Sequence, residues 1–166
     1  MSTLIDGLLF GWSKNLGYGQ NLIADLSDDQ MALQPGAENG PGMNHPAWVF
    51  AHLNLYLPCL ESLIKGETFD DPKDHEFGMQ SSPQADRSIY PSKEQLLNDF
   101  VSGHEAVAAA LRSGGDAVLD QAMTLERWQT PMPTVGQALP YLMLVHENTH
   151  FGQVSAWRRV QGLPAV

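Results

Sequence analysis

Hydrophobic positions recur at spacings of three and four residues in four long stretches of this chain, the pattern of helices that each bury one face. In the first, about 3–26, the stripe is Ile5, Leu8, Trp12, Leu16, Leu22 and Leu26. Gly11, Gly17 and Gly19 interrupt it and mark either close packing or nothing. Ser27-Asp28-Asp29-Gln30 has the form of a capping box, and Gln34-Pro35-Gly36 and Asn39-Gly40-Pro41-Gly42 carry loop chemistry. The second stretch starts near Asn44 or His45 with Pro46 in its first turn, runs to about Ile64 and stops at Gly66. Its stripe is Val49, His52 or Leu53, Tyr56, Leu60 and Leu63, and Pro58 should kink it.

A polar connection over 66–91 contains His75, which is expected to be exposed; its length suits a lid, a binding loop or a disordered segment. Ser92-Lys93-Glu94-Gln95 then caps a third helix whose stripe is Leu97, Phe100 or Val101, His104, Ala108 and Leu111, ending at Gly114-Gly115. The fourth, 134–161, opens with Thr134-Val135-Gly136-Gln137, should bend at Pro140, and places Leu139, Leu142 or Met143, His146, His150, Gln153, Trp157 and Val160 on one face. With no repeat and no convincing strand, the pattern predicts an all-α domain over 1–166: a four-helix bundle with long connections, whose sites are built from inward side chains.

His146-Glu147-Asn148-Thr149-His150 puts two imidazoles one helical turn apart on the inward face, where both rings can reach one ion. One inward histidine is usually a hydrogen-bonded core residue; two stacked beside Gln153 are harder to satisfy that way. The stretch also matches the His-Glu-x-x-His signature of zinc metalloproteases, with Glu147 as general base. No Asp, Glu or His follows His150, so a third ligand must come from upstream. His52 is the first choice, His104 the second, and His45 or His75 less suitable. Glu147 is about 100° around the helix from His146, which favours a solvated position for it.

At 166 residues and 43% hydrophobic content the chain can bury a core without a metal staple, so a bound metal would be functional. A net charge of −10 argues against nucleic acid or an anionic membrane as partner. No apolar run reads as a bilayer span, no signal stretch is evident, and a lone cysteine, Cys59, fits a reducing compartment; the expectation is a soluble cytoplasmic protein. Arg158 and Arg159, the only adjacent basic pair, either complement a helix dipole or form a local basic spot.

The segments Asn44-x-Pro46-x-Trp48-x-x-x-His52-Leu53 and His146-x-x-x-His150-x-Gly152-Gln153-Val154-Ser155-x-Trp157-Arg158-Arg159-x-x-Gly162-Leu163-Pro164 resemble the DinB-like superfamily of metal-binding four-helix bundles, as does the Tyr90-Pro91-Ser92 approach to the third helix. The resemblance implies a divalent ion such as zinc or nickel on His52, His146 and His150. It also implies a homodimer and, by analogy with members that are thiol-dependent S-transferases or isomerases, a low-molecular-weight thiol and a small-molecule substrate. Arg158 is then a candidate contact for a thiol carboxylate and Glu147 the base of a hydrolytic alternative. A non-catalytic metal-binding or dimerisation module is the competing reading; a closed four-ligand site including His104 would favour it, and an open three-histidine site under the 66–91 loop would favour an enzyme.

Overall fold

The computed structural model describes residues 2–40 and 42–166; Pro41, in the expected 39–42 loop, lies outside them. The described residues are helical and contain no β-strand, only an isolated antiparallel bridge between Ala122 and Thr134. Helix α1 (Thr3–Ile23) starts at Ser2, whose hydroxyl accepts from the Ile5 amide. It buries Ile5, Leu8, Trp12 and Leu22, with the polar Asn15 among them. Two of its glycines are contact points. A Cβ on Gly19 would meet the rings of Phe100 and Phe151 at 2.9 Å, and one on Gly11 would meet Leu144 at 2.8 Å, whereas nothing lies within 4 Å of Gly17. The Ser27–Gln30 box forms reciprocally, Ser27 N–H donating to Gln30 Oε1 and Gln30 N–H to Ser27 Oγ.

Helix α2 (Pro46–Lys65) begins on His45, whose Nδ1 accepts from the Trp48 amide, and ends on Gly66 at φ 72°, a left-handed turn that glycine adopts without strain. His52 and Leu53 both face inward, because every residue from Pro46 to Leu53 is buried. A helix apolar all round is a central one. By length and composition alone α2 could cross a bilayer, which the sequence reading did not anticipate; 67% of that window is buried inside the protein, the burial of a core helix. Helix α3 (Lys93–Gly114) packs along α2 and α1, its cap supplied by Ser92 Oγ accepting from Gln95 N–H.

After the short α4 (Glu126–Gln129), the last rod is α5 (Val135–Pro140), a π-helical stretch Tyr141–His146, and α6 (Glu147–Val160). Pro140 lacks an N–H, and the widened turn follows it directly. The rod's inward face differs from expectation. Leu139, Met143, His150 and Trp157 are buried as predicted, but so are Glu147, Phe151, Val154 and Arg158, while Val160 is 60% exposed. The face is centred about one residue later than the histidine stripe, which leaves His146 at its edge toward α2. The last rod packs on α1 and α2, closing one apolar core shared with α3.

Candidate metal centre

His52 on α2 and His146 and His150 on the last rod offer ligand atoms that all lie within 4.8 Å of one another, a group able to hold a metal ion. His146 Nε2 stands 3.3 Å from His52 Nε2 and 3.3 Å from His150 Nε2. Nitrogens bound to a tetrahedral ion at about 2.0–2.1 Å sit about 3.3–3.4 Å apart, so these spacings match. The outer ring atoms are tied down. His52 Nδ1–H donates to the Phe77 carbonyl at 2.7 Å and His150 Nδ1–H to Gln153 Oε1 at 3.0 Å. A neutral imidazole protonated at Nδ1 presents a lone pair at Nε2, so two of the three converging atoms are bare acceptors and His146 Nε2 has at most one proton to offer the pair. A shared cation resolves that conflict.

Burial holds the rings in the ligand-competent neutral form, pushing His52 down to about 4 and His146 to about 3, and lowering His150 as well. Gln153 is itself fixed by Asn44, whose Nδ2 donates to the same Oε1 at 3.0 Å. Gln153→Leu is therefore expected to weaken metal affinity by about 10–100-fold with little change in fold, measured by competition against a chromophoric chelator.

The 66–91 connection is a cover for this centre. Besides the Phe77 carbonyl on His52, Ser81 Oγ accepts from Trp48 Nε1 and Gln84 O accepts from His45 Nε2. His45 is thus spent on capping α2 and anchoring the cover, and His75 is exposed, its Nδ1 accepting from the Phe77 amide. Cys59 is a buried free thiol pushed up to about 11 by desolvation, a packing residue.

His104 and Glu147 belong together, apart from the triad. Glu147 was expected in solvent; it is 2% exposed, with Oε1 2.6 Å from His104 Nε2 and Oε2 accepting from Asn15 Nδ2 at 2.8 Å. Trp12 stacks on the His104 ring at 3.7 Å and donates its Nε1–H to the His104 carbonyl. Desolvation raises the Glu147 pKa, opposed by the His104 and Asn15 bonds. A carboxylate whose position is matched by two buried partners need not face water, which is why the rotation argument failed. Asn15 was missed although its signal was present: a polar residue three after Trp12 on an apolar stripe. The Phe77 carbonyl had no signal, since any residue supplies one.

Arg158 also has a different setting from the one expected. It is 2% exposed, pairs with Asp25 through Nη1–Oδ1 at 2.6 Å and Nη2–Oδ2 at 2.9 Å, and donates to the Leu22 and Pro164 carbonyls. Its hydrogen bond holds the Asp25 carboxyl below the usual range. The guanidinium is used in joining α1, α6 and the C-terminal residues.

Without metal, acid should destabilise the protein. His45, His52, His146 and His150 all have folded pKa values depressed below 6.5 by burial. Below pH 6.5 the unfolded chain binds protons that the folded one refuses, so this contribution is complete above 6.5 and lost as pH falls toward about 3, where His146 at last takes its proton. Urea midpoints in chelator should drop between pH 7 and pH 5. A flat profile would contradict the burial of these rings.

Beside the triad lies an apolar cavity lined by Leu53, Tyr56, Trp128, Leu142 and His146 among others, and a neighbouring one that shares Tyr56, Trp128, Leu142 and His146 with it is lined also by His52, Arg127 and Tyr141. No curated protein matches the chain. The sequence profile of the DinB superfamily, however, matches residues 19–154, a span that contains all three converging histidines, the Phe77 carbonyl and Gln153. With most of the chain covered by that match, and an all-helical architecture around the site, the protein belongs to the DinB superfamily.

Proposed function

We propose that this chain is a metal-dependent enzyme, a thiol S-transferase that uses His52, His146 and His150 to hold one zinc or nickel ion. The supporting observation is the convergence of three imidazoles beside an apolar cavity, with His146 Nε2 3.3 Å from the Nε2 of each of the others and no fourth His, Cys, Asp or Glu grouped with them among the described residues. A three-ligand set leaves a coordination position for a reactant, whereas structural sites are closed by four protein ligands. That difference favours an enzyme over a non-catalytic module. In this reading the rods form the DinB-type four-helix bundle, one domain that works as a cytoplasmic homodimer.

A divalent ion in such a site acts as a Lewis acid that makes a thiol readily ionised at neutral pH. The protein's residues do the rest. Phe77 and Gln153 orient two imidazoles; Leu53, Leu142 and Trp128 exclude water from the reacting sulfur. The thiol proton passes to solvent, the sulfur forms a bond to an electrophilic carbon, and the leaving group departs with its electron pair. Glu147 does not suit the hydrolytic alternative, because both its oxygens are engaged by His104 and Asn15. The test is conjugation of a chloro-dinitroaromatic electrophile by the zinc- and nickel-loaded protein with cysteine-derived thiols. Turnover lost in His52→Ala supports the assignment; absence of turnover with every thiol and both metals removes it.

A further inference from the structure

The cavity beside the triad contains one cationic side chain, Arg127, and its guanidinium is incompletely used. Nε donates to Asp71 Oδ2 at 2.6 Å and Nη1 reaches the Met79 thioether at 3.2 Å, while Nη2 is buried with no protein partner. Tyr56 Oη, buried on the same cavity, lies against the Arg127 guanidinium and the Met79 backbone without a well-formed hydrogen bond to either. Buried polar groups in native proteins are nearly always satisfied, and an unspent guanidinium N–H beside a loosely held phenol, on one cavity with His52 and His146, points to an acceptor brought by a ligand.

We propose that Arg127 and Tyr56 form a carboxylate-binding subsite of the histidine cavity, selecting ligands that carry a carboxylate at one end and reach the triad with the other. A planar fork with free N–H groups fits a carboxylate by two parallel hydrogen bonds. The thioether is the weakest acceptor on Arg127 and belongs to a side chain that is 57% exposed, so Met79 is the group a carboxylate displaces. The Asp71 pair on Nε holds the fork in place, and the Trp128 ring lies 4.7 Å from the guanidinium carbon. No carboxylate lines the part of the cavity that holds Arg127, and the nearest two are already engaged, Asp71 on Arg127 Nε and Glu147, in the adjoining part, on His104 and Asn15. The choice of thiols as ligands rests on the function proposed above; the carboxylate site itself does not.

The test uses the Co(II)-loaded full chain, titrated with 3-mercaptopropionate and with its neutral counterpart 3-mercapto-1-propanol, following the sulfur-to-cobalt absorption. Propionate is titrated separately against the assigned Trp128 indole N–H resonance. The acid thiol should bind at least about tenfold tighter than the alcohol, equivalent to about 1.4 kcal/mol. That preference and the propionate shift should both vanish in Arg127→Gln and fall several-fold in Tyr56→Phe, with affinity for the alcohol retained. Equal affinities for the two thiols in the wild type, or a preference surviving Arg127→Gln, would overturn the subsite. If neither thiol binds cobalt, the thiol function fails and propionate alone decides: a shift lost in Arg127→Gln upholds the subsite, and no shift in the wild type rejects it.

Discussion

Alanine in place of His146 is expected to leave a folded protein that gains no thermal stability from added zinc. In the wild type, free ion at about 1,000 times the dissociation constant should stabilise the native state by about 4 kcal/mol, since the unfolded chain lacks the assembled site. For a chain of this size that corresponds to a rise of roughly 8–16 °C in Tm. His146 supplies the nitrogen that lies 3.3 Å from each of the other two, so its removal leaves His52 and His150 as a two-point site with no shared neighbour. The loss of affinity should exceed the about 10–100-fold cost of losing an orienting group. His52→Ala and His150→Ala should behave alike. His104→Ala is the informative control, because His104 contacts Glu147 and not the triad: its Tm should fall, but the zinc-dependent increment should persist. A full zinc increment in His146→Ala would refute the three-histidine centre.

The elements that carry this site were legible because local chemistry and burial agree in them. Pro46 after His45 and Gly66 after Lys65 bracket α2 within a residue of where the pattern placed it, and Ser92 does the same for α3. The apolar stripes brought His52 and His104 forward alike as partners for His146 and His150, and the resemblance of the Asn44–Leu53 segment to the DinB-like superfamily favoured His52, the one the structure groups with them. Legibility ended where a polar group is satisfied by a partner distant in sequence. Nothing near Glu147 announces that His104, 43 residues away, will meet it at 2.6 Å, nor that Asp25 will take the Arg158 fork from 133 residues away. The π-helical stretch after Pro140 was invisible for a related reason: proline announces a disturbance, but tertiary packing decides whether the rod kinks, breaks or widens. The cover over the triad was foreseen only as one of three options, since its grip on His52 runs through a backbone carbonyl.

Leucine in place of Glu147 is expected to destabilise the protein by about 3–5 kcal/mol, and the double variant Glu147→Leu with His104→Leu to recover much of that loss. Removing one member of a buried polar pair strands the other: His104 would keep an Nε2 with no acceptor, in a ring whose Nδ1 is already unpartnered. Removing both replaces a costly desolvated pair with apolar surface between Trp12 and Phe100, whose rings pack on His104 at 3.7 and 4.3 Å. Asn15 tolerates the exchange, because its Nδ2 also donates to the Met143 carbonyl and its Oδ1 accepts from Asn148. Urea denaturation of the two singles and the double closes the cycle, with a coupling of about 3 kcal/mol or more expected, the upper end for side chains in direct contact. Metal stoichiometry and conjugation rate separate this structural role from chemistry. Glu147→Gln keeps hydrogen-bonding capacity without the basicity, so the rate should stay within about threefold of wild type if the carboxylate only braces α6 against α1 and α3, whereas loss of a general base costs about 100-fold or more. A loss of that size with metal retained would return Glu147 to the reaction and make the literal His-Glu-x-x-His match meaningful.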